Sequence, residues 1–123
     1  MKELTKAEEQ VMQILWKLEH AFVKEIVEEF PNPKPAYNTV STIIRILEKK
    51  GFVSYIAFGK THQYSPKILK EQYSKQRIST FVTDYFEGSF TKMLSFFTTH
   101  KNLSVKDLEE ARNLLQELNS TKK

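Results

Sequence analysis

The chain has 123 residues, 40% of them apolar and 28% charged, and a net charge of +4. This is the mix of a folded globular protein, with room for one domain or for two small units. It contains no cysteine, which excludes disulfides, thiolate metal sites and cysteine nucleophiles. The basic balance tilts toward an anionic partner, although charge alone is a weak pointer. The opening MKELTKAEEQ has no apolar signal core, and no run approaches the roughly 20 apolar residues that span a bilayer. A cytoplasmic protein without membrane insertion is the expectation.

Thr5 followed three residues later by Glu8 is a capping-box start. The stripe Val11, Ile14, Leu15 and Leu18 then predicts an amphipathic first helix, with Trp16 off its centre and free to pack on a neighbouring element. The pattern breaks at Glu19-His20. Phe22, Val23, Ile26, Val27 and Phe30 predict a short second helix, stopped by Pro31, Pro33 and Pro35. Tyr37 to Lys50 predicts a third helix, ended at Gly51 by a left-handed cap. From Phe52 to Phe58 the residues become β-branched and aromatic. Gly59-Lys60 makes a turn and Thr61 to Ser65 a second strand, giving a hairpin closed by Pro66.

Three short helices followed by a hairpin form the winged helix-turn-helix layout. From Lys67 the chain turns helical again, with Ile68, Leu69, Tyr73, Ile78, Phe81, Val82, Tyr85 and Phe86 in one long segment. Gly88-Ser89 breaks that segment. A further helix carries Phe90, Met93, Leu94, Phe96 and Phe97. After a loop at His100 to Asn102, Ser104 can cap a last helix that bears Val105, Leu108, Ala111, Leu114, Leu115 and Leu118. Five of the nine phenylalanines fall between positions 81 and 97. That is more aromatic surface than three short helices can hide, so self-association is expected through Tyr73, Ile78, Phe81, Val82, Tyr85, Phe86, Phe90, Leu94, Phe97, Leu108 and Leu115. The expected fold class is mainly α (α+β). A winged helix over 1–66, with a two- or three-stranded wing, precedes a helical dimerisation region over 67–123.

The third helix has two unlike faces. Val40, Ile43, Ile44 and Leu47 form its apolar stripe, whereas Asn38, Ser41, Thr42, Arg45 and Lys49 stand opposite. Amides and hydroxyls are mediocre helix formers, and a purely solvated face more often carries glutamate and lysine. Between Lys34 and Lys67 there are six basic residues and one acid, Glu48, while the first two helices hold most of the N-terminal acids. A helix of this kind fits a major groove. There, arginine can bond a guanine edge, asparagine can bond an adenine edge, and short hydroxyls let the backbone approach. Tyr37, Asn38 and Thr39 open the helix, where free amides suit a phosphate. Lys60 and Thr61 at the hairpin turn can reach a neighbouring phosphate. The DNA-contacting set is thus Tyr37, Asn38, Thr39, Ser41, Thr42, Arg45, Lys49, Lys60 and Thr61. The competing reading of the same stripe is an ordinary solvated helix face.

The chain resembles the penicillinase/methicillinase repressor family of bacteria, the BlaI/MecI/CopY type. The resemblance rests on Leu4-Thr5-x-Ala7-Glu8-x-x-Val11-Met12-x-x-Leu15-Trp16 and on Asn38-Thr39-Val40-x-Thr42-x-x-Arg45-x-Leu47-x-Lys49-Lys50-Gly51. It extends to Gly59-x-x-x-x-Tyr64-x-Pro66, and it covers essentially the whole chain. It implies a homodimer that binds a palindromic operator in double-stranded DNA as a transcriptional repressor. Recognition contacts would fall on Asn38, Thr39, Ser41, Thr42 and Arg45, and Lys60 would hold the basic wing position. It also implies, for several members, release by a membrane sensor-protease system that cleaves between an asparagine and a phenylalanine. Here Phe96-Phe97, preceded by Ser95, stands at the aligned place, so that asparagine is missing. The cysteine cluster of copper-responsive members is missing as well.

Two other classes of function compete with this one. No enzyme is expected: His20, His62 and His100 are far apart, and no serine elbow, phosphate loop or HExxH helix accompanies them. Neither a metal nor a cofactor is implied. A winged helix used for protein contact or small-molecule sensing, with the aromatic C-terminal helices lining a ligand pocket, is the alternative.

Overall fold

A computed structural model of the chain describes residues 2–100, 105–107, 109, 110, 112, 113 and 116. The chain divides into two compact units, one ending at Gln72 and the other beginning at Tyr73.

The first unit contains α1 (Lys6–Leu18), β1 (Ala21–Phe22), α2 (Val23–Glu29), α3 (Tyr37–Lys49), β2 (Val53–Phe58) and β3 (Thr61–Pro66). The capping box forms as expected: the Glu8 amide donates to Thr5 Oγ1 at 3.2 Å and the Thr5 amide to Glu8 Oε1 at 3.0 Å. Val11, Met12 and Leu15 are fully buried, whereas Ile14 and Leu18 sit half-exposed at the edge of the stripe. Val23 and Ile26 from α2, Val40, Ile44 and Leu47 from α3, and Phe52, Val53 and Tyr64 from the wing complete this core. Each such side chain contributes about 1.5–3 kcal/mol by leaving water.

The structure corrects three boundaries. Phe22, expected in the second helix, belongs with Ala21 to a short strand whose partners are Tyr64 and Gln63 of β3. The wing is therefore a three-stranded antiparallel sheet in the order β1-β3-β2. A two-residue strand is invisible to periodicity, and only the adjacent β3 edge makes it one. Next, α3 ends one residue early, with Lys50 as its cap and Gly51 in the left-handed region at φ +84°. Finally, the long helix expected from Lys67 starts three residues later, as α4 (Lys70–Phe86). The intervening residues are tied to the first unit. The Lys67 amide donates to the Phe52 carbonyl at 2.7 Å, and the Trp16 indole Nε1 donates to the Ile68 carbonyl at 2.9 Å. Trp16 thus anchors the segment that leaves the wing.

In the second unit, α4 buries Tyr73 and Val82, and Gly88 at φ +78° breaks it. Ser89 Oγ accepts from the Lys92 amide at 3.1 Å and opens α5 (Phe90–His100). The loop expected at His100 therefore begins no earlier than the end of α5. Aromatic rings form a continuous chain, with centroids 5.0 Å apart for Phe81–Tyr85, 5.7 Å for Phe81–Phe86 and 5.6 Å for Phe86–Phe96. Phe90, Leu94 and Phe97 are half-buried. Ile78, Phe81, Tyr85 and Phe96 remain exposed, Tyr85 by 72%. Residues 105–107, 109, 110, 112, 113 and 116 are helical, as expected of the last helix. Of the dimerisation set, Leu108 and Leu115 lie outside the described residues, as do Ala111, Leu114 and Leu118.

Candidate nucleic-acid interface

The seat of α3 decides which of its side chains are free. With Val40, Ile44 and Leu47 turned into the core, Asn38, Thr39, Thr42, Arg45 and Lys49 are not buried, and Ser41 is half-buried. The first-turn amides have no side-chain cap, because Ala36 occupies the N-cap position. Thr42 Oγ1 donates to the Asn38 carbonyl at 2.9 Å, which leaves its lone pairs and methyl facing outward.

Tyr37, Ser41 and Arg45, four residues apart, line a cleft of about 400 Å³ between α3 and the wing. Lys60, Thr61, His62 and Tyr64 of the wing and Lys24 and Glu25 of α2 line it as well. Asn38, Thr42 and Lys49 are exposed and are not among its lining residues. All nine residues expected to touch DNA are therefore on α3 or the wing turn, and Tyr37, Ser41, Arg45, Lys60 and Thr61 share the cleft.

Within the cleft, His62 stacks on Tyr55 with ring centroids 4.0 Å apart and planes 8° from parallel. Burial first, and then the Glu48 carboxylate, raises the pKa of the Tyr64 phenol, while the Arg45 guanidinium opposes this. Tyr64 thus stays a neutral hydroxyl. Thr61 Oγ1 donates to the Phe58 carbonyl at 2.9 Å, which braces the turn at Gly59.

Charge is arranged less simply than the sequence count implied. Lys34 Nζ donates to the carbonyls of Glu28 and Phe30, capping α2, and is spent there. Lys50 Nζ meets the buried Glu8 carboxylate at 2.6 Å and ties the end of α3 to the start of α1. Burial pushes the Glu8 pKa up, but the Lys50 ammonium and the Thr5 amide outweigh it and hold the carboxyl below its ordinary value. So neither Lys34 nor Lys50 serves the basic face. Conversely, one acid does reach that face: Glu25 lines the cleft, its carboxylate accepting from the Phe22 amide at 2.9 Å. Arg45 and Lys60 have no hydrogen-bond or ion-pair partner among the described residues.

Sequence reasoning missed Ile46, His62, Lys24 and Glu25. Ile46 is 38% exposed, on the outward flank of α3 near Thr42 and Lys49. Its signal was present: it is an isoleucine out of phase with the apolar stripe, and an exposed methyl-bearing side chain can meet a thymine methyl. The other three enter through the cleft, which arises when α2 and the wing fold against α3 and leaves no mark in any one segment. Among the described residues no group of acids and histidines could hold a metal ion, and no helix is long and apolar enough to cross a membrane.

The sequence has known relatives. The methicillin resistance regulatory protein MecI of Staphylococcus aureus (strain N315) is 30% identical over 114 residues, covering 92% of this chain and 93% of that protein. The penicillinase repressor of Bacillus licheniformis is 25% identical over 122 residues, 98% of this chain and 95% of that protein. A solved CopR repressor structure, 32% identical, covers 53% of this chain and 96% of its own with a TM-score of 0.45. The penicillinase repressor family matches residues 4–117. The chain belongs to the penicillinase repressor family.

Proposed function

We propose that the chain is a DNA-binding transcriptional repressor, which grips a palindromic operator as a homodimer. The winged helix over 1–66 would read each half-site, and the helices within 67–123 would join the two copies. The observation that carries this reading is the seating of α3. Its apolar stripe is buried while Asn38, Thr39, Thr42 and Lys49 stand free beside a wing whose turn presents Lys60. A helix presented in this way can enter a major groove. Two copies then place their helices about one helical turn apart, roughly 10 base pairs.

The exposed apolar row Ile78, Phe81, Tyr85 and Phe96 supports the dimer, since apolar side chains of that size gain from being covered. As for release, Ser95-Phe96-Phe97 lies inside α5, so a membrane sensor-protease system could cut there only after α5 opens. The ligand-sensing alternative has less support: among the described residues of the second unit, Arg77, Ile78, Phe81 and Met93 line an open depression.

The test is to select fragments of the source organism's genomic DNA on the full chain and to measure affinity for the recovered duplex against salt. A shared palindrome, bound with an affinity that falls steeply as salt rises, is expected. Recovery of no common site, or an affinity indifferent to salt, would overturn the reading.

A further inference from the structure

Arg45 carries the largest share of the base-reading expectation, yet with Tyr37 and Ser41 it lines the cleft beside the wing, which the exposed Asn38, Thr42 and Lys49 do not line. Lys60 of the wing turn lines the same cleft. Neither cation is bound to a carboxylate among the described residues. Tyr37 and Ser41 add hydroxyl donors on the same wall, since the Thr61 hydroxyl is already committed to the Phe58 carbonyl. Glu25, whose carboxylate accepts from the Phe22 amide, also lines the cleft beside Lys24, so an anion gains from standing nearer Arg45 and Lys60 than that carboxylate.

Arg45 and Lys60, with the Tyr37 and Ser41 hydroxyls, offer the donors a phosphodiester needs rather than the mixed donors and acceptors of a base edge; Lys24 adds a third cation to the same lining and Glu25 its one carboxylate. We infer that this cleft is a backbone phosphate clamp: Arg45 and Lys60 close on one phosphate of the bound duplex, and Arg45 positions α3 instead of reading a base. The inference rests on the DNA-binding reading. It moves sequence discrimination onto Asn38, Thr42 and Ile46. The clamp fixes how deeply α3 enters the groove, because the phosphate is held from the helix and the wing at once.

The experiment uses the full chain and the duplex recovered by genomic selection, remade with a single neutral methylphosphonate at each phosphate in turn. One phosphate per half-site should stand out. Neutralising it should weaken the unsubstituted protein about tenfold, the size of one charge-assisted hydrogen-bonded contact. It should weaken Arg45→Ala by less than about twofold, since the partner is already gone. Arg45→Ala should keep the base preference of the parent protein and lower the salt slope by about one. Circular dichroism of the variant confirms folding. A variant that changes preference at a particular base pair, with no methylphosphonate position losing its effect, would overturn the clamp while leaving DNA binding intact. Arg45-dependent binding of free inorganic phosphate without such coupling would overturn it in favour of a small anion. Failure to recover any duplex would instead sink the DNA-binding reading itself.

Discussion

The two units of this chain solve the same problem in opposite ways. The first buries its large aliphatic and aromatic side chains against one another: Leu15, Ile26, Ile44, Leu47 and Phe52 are wholly inaccessible to water. The second strings its aromatics along two helices and leaves Phe81, Tyr85 and Phe96 exposed by 41%, 72% and 44%. Three helices closed by a sheet enclose a core, whereas among the described residues α4 and α5 bury only Tyr73 and Val82. The first unit still exposes single apolar residues such as Ile56 and Phe58, but its core is complete, and the aromatic surface of the second is suited to association. The difference favours recognition in one half and assembly in the other.

Deleting packing from the first core should give the largest effect. Leu15→Ala is expected to lower stability by about 2–5 kcal/mol in urea unfolding, and a loss below about 1 kcal/mol would mean that the first unit is not the tightly packed half. Next in size is the Glu8–Lys50 tie. Glu8→Ala loses both the reciprocal cap and the partner of a mostly buried ammonium, for about 2–3 kcal/mol. Glu8→Gln keeps the cap acceptor and isolates the charge. Because the folded pKa of Glu8 lies below its ordinary value, its contribution is fully present above that value and is lost as pH falls through the lowered one. The stability gap between the parent protein and the Glu8→Gln variant should therefore narrow on acidification below the ordinary glutamate range. A gap that widened would show the carboxylate to be destabilising.

The second unit should respond in association more than in folding. Tyr85→Ala or Phe81→Ala is expected to weaken the dimer by about 1–2 kcal/mol, read as a shift toward monomer mass in sedimentation at micromolar concentration. An unchanged mass distribution for both variants would remove the aromatic row from the interface. The smallest effect is the sharpest control. Ile56 on β2 is 64% exposed, almost as open as Tyr85, but it sits on the unit that already has its core. Ile56→Thr should change stability by less than about 0.5 kcal/mol and leave the mass distribution unaltered. If Ile56→Thr loosened the dimer as much as Tyr85→Ala, the division of labour between the units would fail.

Much of this was legible in the residues alone, for local reasons. Thr5 and Glu8 announce the first helix because a capping box needs only four consecutive residues. Gly51 and Gly88 end helices because each takes a left-handed backbone that other residues resist. The 3.6-residue spacing of Val40, Ile44 and Leu47 determined which side of α3 would be buried, and hence which side would be free. Tertiary structure decided what no segment could state about itself. Ala21-Phe22 becomes a strand only because β3 offers an open edge. Lys50, counted with the basic face, is withdrawn by Glu8, which lies far away in sequence. The cleft that Arg45 and Lys60 both line exists only once the wing folds beside α3. Periodicity says which side of a helix faces water, but the elements packed around it determine what each exposed residue can reach.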